Sequence, residues 1–258
     1  MFQSPGPILV QIGPLSIHWY GAIIGGGILL CYFYVFAELK RRKIDAKYLD
    51  NLVFWTVLSG VIGARLYYVI FSWPYFGQNP SEILQIWKGG LAIHGALIGG
   101  ALSVIICARR YKFSFWTYAD VIAPSLLFAQ ALGRWGNFFN NEAFGSPTTL
   151  PWKLYIPEQF RPEQYIDVAY FHPTFLYESL WDLAGFALLI YLSRKFKKPG
   201  AVLCAYLMWY SAGRFFVEIL RTDSLYFGQF KAAQIASAVL FLVGLFGLVI
   251  KKKTATQR

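Results

Sequence analysis

Arg134, Arg214 and His94, with the amides and acid at Asn137, Asn140 and Glu142, are the residues best equipped for chemistry in this chain. They fall in or beside stretches otherwise built of Leu, Ile, Val, Phe, Ala and Gly. An arginine or aspartate at the centre of a membrane helix costs at least ~2.5–3.5 kcal/mol on insertion scales, so each needs a partner or a task. Two guanidinium forks on different segments can hold a phosphate bidentately, where a lysine supplies only a point charge. An anionic phospholipid headgroup fits that description. His94 sits in Ala92-Ile93-His94-Gly95-Ala96, with Gly89-Gly90 clearing room around it. Its imidazole can move a proton near neutral pH, or it can be a satisfied packing residue.

Tyr210, Arg214, Glu218 and Arg221 fall within about 80° of arc on one helix, a single polar face that acts together or not at all. The structural alternative is an ion-pair ladder from Arg214 through Glu218 to Arg221 that holds helices in register. The stretch Gly133-Arg134-Trp135-Gly136-Asn137-Phe138-Phe139-Asn140-Asn141-Glu142 is expected to be the loop-like end of a span, rich in N–H donors and suited to an anion. Asp120, ahead of Arg134 with Pro124 between them, is either a structural partner or a catalytic group. Arg65 and Asp182 read as buried structural charges, and Glu178 is a further intramembrane acid. Cys31, Cys107 and Cys204 have neither CxxC nor metal-ligand spacing, so they read as packing residues, with no disulfide and no metal site expected.

The elements that must position these groups are membrane helices. The 258 residues are 57% hydrophobic and 14% charged, with a mean hydropathy of +0.45, too apolar for an ordinary soluble domain. Stretches near 15–38, 49–72, 91–108, 116–138, 173–193, 200–220 and 232–250 have the roughly 20 apolar residues needed to cross a bilayer core. The expected fold is an all-α polytopic membrane protein with about seven transmembrane helices, forming a single membrane domain over 1–258. Basic clusters at Lys40 to Lys47, Arg109 to Lys112, Arg194 to Lys198 and in the tail (Lys251, Lys252, Lys253, Arg258) follow every second span. That alternation sets the N-terminus outside and the C-terminus in the cytoplasm. The net charge of +11 is then a topology signal and not a nucleic-acid footprint. No basic n-region or small-residue cleavage site marks the start, so the first helix is expected to be uncleaved. Residues 1–14 should lie along the outer interface. A short interfacial helix capped by Ser81 is expected within 74–89. The segment 139–172 forms the extracytoplasmic loop region. Gly21/Gly25 and Gly95/Gly99, at i, i+4 spacing, suit close helix packing.

The run from Gly133 to Glu142 continuing to Gly145 resembles the signature of the bacterial prolipoprotein diacylglyceryl transferases. So do His18-Trp19-Tyr20-Gly21, Ile93-His94-Gly95, His172-Pro173 with Leu176-Tyr177-Glu178, and Gly213-Arg214-Phe215 through Glu218 to Arg221, in family order across nearly the whole chain. Ala96 departs from the second glycine many members carry after the histidine, which loosens expectations about the backbone there. The resemblance implies transfer of the diacylglyceryl group of phosphatidylglycerol to the lipobox cysteine of a prolipoprotein, forming a thioether and releasing glycerol phosphate. It implies a multi-pass protein of the bacterial cytoplasmic (inner) membrane, with no cofactor and no nucleic-acid partner. It suggests His94 as base, with Arg134 and Arg214 on the phosphate. It also implies substrate-binding places for Tyr20, Asn137, Asn140, Glu142, Gly145, Tyr210, Glu218 and Arg221, the last two fixing Arg214. A lipid or anion transporter is the main rival, yet the chain lacks inverted repeats. A non-enzymatic scaffold would tolerate loss of His94 or Arg134, and a protease is disfavoured by the lack of HExxH and GxSxG.

Overall fold

The computed structural model describes residues 1–256, without the side chains of Leu15 and 252–256. The tail cations Lys252, Lys253 and Arg258 therefore lie outside the described side chains. The long helices are α1 (Trp19–Arg41), α2 (Leu49–Phe71), α4 (Ile93–Tyr111), α5 (Phe115–Asn140), α6 (Thr174–Lys195), α7 (Ala201–Leu220) and α8 (Ala232–Thr256), and α3 (Trp73–Phe76) is a single turn. Each stretch expected to span has its long helix. Five of them, α1, α2, α4, α6 and α8, are long and apolar enough to cross a membrane. The chain is thus a multi-pass helical membrane protein. α5 and α7 carry Asp120 with Arg134 and Arg214 with Glu218, the charges that lower their hydropathy.

Two expectations about helix boundaries need correction. Residues 15–18 do not open the first span: β3 (Leu15–His18) pairs antiparallel with β2 (Ile8–Ile12), with Ile12 opposite Leu15. Gly13, at φ 59°, makes the turn between them. The 74–89 segment holds α3 and two 3₁₀ turns, Pro80–Glu82 and Ile86–Lys88, and not one interfacial helix. Ser81 lies inside the first turn, whose N-cap is Asn79. Pro80 and the left-handed Gly89 and Gly90 break any longer helical run.

The chain divides into two compact units. The first comprises 36–118, with α2 and α4 at its centre. A Cβ on Gly95 would strike the Gly63 backbone, and one on Gly99 would strike that of Ser59, so the expected close packing at Gly95/Gly99 is observed. Arg65 (8% exposed) donates to the carbonyls of Glu82 and Ile83 at 2.7 Å, Gly89 at 2.8 Å and Gly90 at 2.9 Å. It ties the 82–90 strap to α2, the structural task expected of it. The room at Gly90 is filled by Arg65 and Tyr68 and is not left for His94.

The second unit comprises 1–35 and 119–258. A Cβ at Gly21 or Gly25 would meet nothing within 4 Å, so among the described residues the close packing expected there is not seen. α6 and α7 are locked by Trp181 and Trp209, stacked at 4.5 Å. Each indole donates to the other's carbonyl at 3.0 Å, and Gly185 and Gly213 make the space. Asp120 accepts from the backbone N–H of Gly200 at 2.7 Å and of Leu203 at 2.9 Å. It caps the start of α7, a structural task. The 139–172 region is an ordered body in which β1 (Phe2–Gln3), β4 (Leu154–Tyr155) and β5 (Tyr170–Phe171) form a small sheet. Phe138, Phe144, Leu154, Ile156, Phe171 and Phe175 make its core. The 221–231 connection is a hairpin of β6 (Tyr226–Phe227) and β7 (Phe230–Lys231). Among the cysteines, Cys107 and Cys204 are buried, Cys31 is half-buried, and all three are free.

Candidate active site

The site begins with the end of α5. The glycine-containing run expected to be loop-like is helical through Asn140, and Asn141, at φ 54°, turns the chain out of the helix. Helical N–H groups are taken by carbonyls of the preceding turn, so this stretch offers an anion its side chains and not a nest of backbone donors. The glycines serve a different end: the Tyr20 ring lies on Gly136, and Trp19 stacks on Phe139 at 4.3 Å. α1 is thereby laid against the polar end of α5.

Arg134 projects from α5 to Glu178 on α6, with Nη2 2.6 Å from Oε2. Glu178 is 6% exposed and two further arginines approach it. Arg214 Nη1 of α7 stands at 3.6 Å and Arg221 Nη1, at the end of α7, stands at 3.7 Å. Arg214 also pairs with Glu218 one turn on, itself 1% exposed. The ladder on α7 is therefore half present. Its Arg214–Glu218 rung forms, but Arg221 leaves the helix in an extended conformation and turns to Glu178 and Asp223. Asp223 lies outside the helix and is bonded to Arg221 at 2.6 and 2.8 Å. Burial works against its charge, and the Arg221 guanidinium outweighs that and holds the carboxyl below its usual range. Lys231 donates to the carbonyls of Glu218 at 2.6 Å and Arg221 at 3.2 Å, a cation on a helix C-terminus.

Within this cluster three arginines face the three carboxylates of Glu178, Glu218 and Asp223, so its offer to an anion lies in directed donors more than in net charge. Arg134 Nε and Arg214 Nη1 are buried with no hydrogen-bond partner among the described residues. Buried N–H groups are rarely left unmade, because each forfeits its hydration. Two guanidinium donors from different helices, anchored by one shared carboxylate, are thus left with hydrogen-bonding capacity that an anion could use.

The other expected residues group as follows. Asn137 and Asn140 both donate to Glu142 Oε1, at 2.9 and 3.4 Å, a closed trio at the outgoing end of α5. Gly145 bridges to Arg221 and accommodates His172 and Thr174 against its bare Cα. Tyr210 stacks on Tyr206 at 6.0 Å. Asp182 is buried one turn beyond Glu178. His94 belongs to the other unit: it is exposed at the start of α4, with the Tyr67 ring stacked on it at 5.7 Å. Two members of the cluster escaped sequence reasoning. Glu178 was noted as an intramembrane acid without being placed at the centre, although three arginines near one end of the spans require such a counter-charge. Asp223 gave no signal, since it looks like any loop acid.

A family model described as prolipoprotein diacylglyceryl transferase matches residues 7–250. A phosphatidylglycerol–prolipoprotein diacylglyceryl transferase of Synechococcus elongatus is 51% identical over 254 residues, covering 96% of this chain and 88% of that protein. Proteins of the same name from a Nostoc species and from Listeria innocua are 49% and 45% identical, each over at least 96% of this chain and at least 90% of their own length.

Proposed function

Because the chain belongs to the prolipoprotein diacylglyceryl transferase family, we propose that it transfers the diacylglyceryl group of phosphatidylglycerol to the cysteine thiol of a prolipoprotein lipobox. This is the first step of lipoprotein maturation. The observation that carries the reading is the pair of unpartnered guanidinium donors on Arg134 and Arg214 around Glu178. In the reaction the cysteine sulfur bonds to glycerol C3 as the bond from C3 to the phosphate oxygen breaks. The oxygen keeps the electron pair and departs as glycerol phosphate, and the thiol proton passes to a base. Arg134 and Arg214 grip the phosphate and stabilise the charge growing on the leaving oxygen, a task at which fixed donors in a water-poor site excel. Glu178, Glu218 and Arg221 hold the two forks in place. Tyr20, Tyr210, Gly145 and the Asn137, Asn140, Glu142 trio shape the ground on which headgroup and acceptor rest. His94 is the candidate base: a free thiol has pKa ~8.5, and a nearby imidazole raises its thiolate fraction.

The same reading makes 1–258 one membrane domain of seven spans in the bacterial inner membrane, with the N-terminus and the 139–172 body outside and the C-terminus in the cytoplasm. The alternation of basic clusters supports that orientation. The lipid exchanges sideways between helices, since no aqueous route suits acyl chains. Purified protein in detergent, given phosphatidylglycerol and a synthetic lipobox peptide, should release glycerol phosphate and add a diacylglyceryl mass to the peptide. Folded Arg134→Ala should do neither. His94→Ala should be inactive near neutral pH and regain turnover as the thiol ionises unaided. An intact, folded chain that leaves the peptide unmodified would overturn the reading in favour of lipid or anion transport.

A further inference from the structure

Lys231 stands half-buried on the returning strand of the 221–231 hairpin. The last carbonyls of a helix have no partner within it, and at the end of α7 they are met from two other segments. The Leu220 carbonyl accepts from the Ser146 N–H at 2.7 Å. The Lys231 ammonium takes the carbonyls of Glu218 at 2.6 Å, Arg221 at 3.2 Å and Ile219 at 3.4 Å. An ammonium has three donors and no acceptor, so these carbonyls use all of them. Among the described residues Lys231 forms no salt bridge. The carbonyls it gathers flank a single side chain. Glu218 and Ile219 precede Arg221, and the third carbonyl is that of Arg221 itself. There the backbone breaks from the helix at φ −70° and ψ 140°, and the guanidinium turns to Asp223 and to Glu178, 3.7 Å away.

We infer that Lys231 is a positioning residue for the reaction: it fixes the break at Arg221 and so aims that guanidinium at Glu178, the carboxylate that Arg134 and Arg214 share. The inference rests on the transferase reading above. A cation that only capped α7 would stabilise the fold and leave turnover per folded molecule untouched. A positioning residue acts through Arg221 and loses its effect on turnover once that side chain is gone.

The test follows glycerol phosphate release, with phosphatidylglycerol and a lipobox peptide, for the unsubstituted chain, Lys231→Met, Arg221→Ala and the double variant, each normalised to folded protein. The expected result is a kcat about tenfold lower for Lys231→Met, a smaller loss than that of a donor meeting the anion directly. In the Arg221→Ala background the same substitution should change kcat by less than about twofold. A Lys231→Met chain as fast as the unsubstituted one overturns the inference, and so does an equal loss in both backgrounds, the mark of a purely structural cap. No transfer by the folded, unsubstituted chain defeats the transferase reading itself, whereas transfer unimpaired by Lys231→Met defeats only this one. Should Lys231→Met fail to fold, Lys231→Gln, whose amide keeps two N–H donors, goes through the same cycle and is judged the same way. Rebuilding the ammonium is an independent check. Lys231→Cys alkylated with bromoethylamine regains a side chain of lysine length and charge and should regain turnover. Alkylation with bromopropane, which restores length without charge, should not. The unsubstituted chain, whose Cys31 is only half-buried, is treated in parallel, and equal turnover after both reagents counts against the inference.

Discussion

Arg65 and the pair Arg134 and Arg214 are set into helices of the same apolar chain, and they are satisfied in opposite ways. Arg65 spends its donors on four carbonyls of the 82–90 strap and, among the described residues, forms no salt bridge. Arg134 and Arg214 share Glu178 across three helices and each keeps a buried N–H unmade. A guanidinium has five donors in a fixed fork. A purely structural arginine is expected to have them taken by its own fold, and one awaiting a ligand is expected to keep some back. The difference fits a clamp at Arg65 and is consistent with the receptor proposed for Arg134 and Arg214.

Substitution should turn that contrast into separable losses. The largest effect is expected on turnover: Arg214→Ala or Arg134→Ala should lower kcat by about 10²–10³, the usual result of deleting one preorganised donor to a developing anion. Glycerol phosphate release measures this. A drop below tenfold would remove either arginine from the phosphate. Glu178→Ala should instead act on stability. It leaves three arginines without their buried counter-charge, and breaking such a pairing costs about 3–5 kcal/mol, visible as a lowered unfolding temperature in detergent. Arg65→Ala should come next, at about 1–3 kcal/mol for the carbonyls left unmade, with turnover per folded molecule falling less than tenfold. If Arg65→Ala abolished turnover in a well-folded protein, the contrast between clamp and receptor would fail.

Much of the helical frame was legible because spans need about 20 apolar residues, a signal that survives a few charges. α5 and α7 were found in the sequence despite Asp120, Arg134, Arg214 and Glu218 for that reason. The end of α5 was misread because Gly133, Gly136, Asn137 and Asn140 are poor helix formers. Tertiary contact overrode the propensity: Tyr20 needs the bare face of Gly136, and Trp19 stacks on Phe139. The N-terminal strands were missed since their partners are set by pairing and not by periodicity. The arginines of the site stood out by cost alone. Their convergence on Glu178 did not, because which face of α6 meets α7 is set by Trp181 and Trp209 interlocking and which meets α5 by Trp135 and Phe138 against Ser179 and Phe175, and their spacing in sequence carries no hint of it. Gly21 and Gly25 show the converse error, small residues at packing spacing where, among the described residues, a Cβ would meet nothing.

Two smaller effects sharpen the contrast from outside it. Asp120→Ala removes the carboxylate that accepts from Gly200 and Leu203 and should cost about 1 kcal/mol, the usual worth of an N-cap. It should leave the ratio of turnover between intact protein and Arg214→Ala unchanged, since the cap lies at the opposite end of α7 from Arg214's neighbours Glu218 and Arg221. The smallest concerns His172, between β5 and α6, where burial lowers the imidazole pKa from its ordinary value. The folded protein then holds that proton less firmly than the unfolded chain. Stability should be level above about pH 6.5 and should fall as the pH drops through the lowered folded value. The unfolding temperature measured in steps from pH 7.5 to pH 5 should show that decline, and His172→Gln, which keeps a hydrogen-bonding group near the Tyr177 hydroxyl, should lessen its slope. Since His172 stands next to Gly145, which bridges to Arg221, a wild-type slope in His172→Gln would assign the acid sensitivity to other groups, the carboxylates around the arginines first among them.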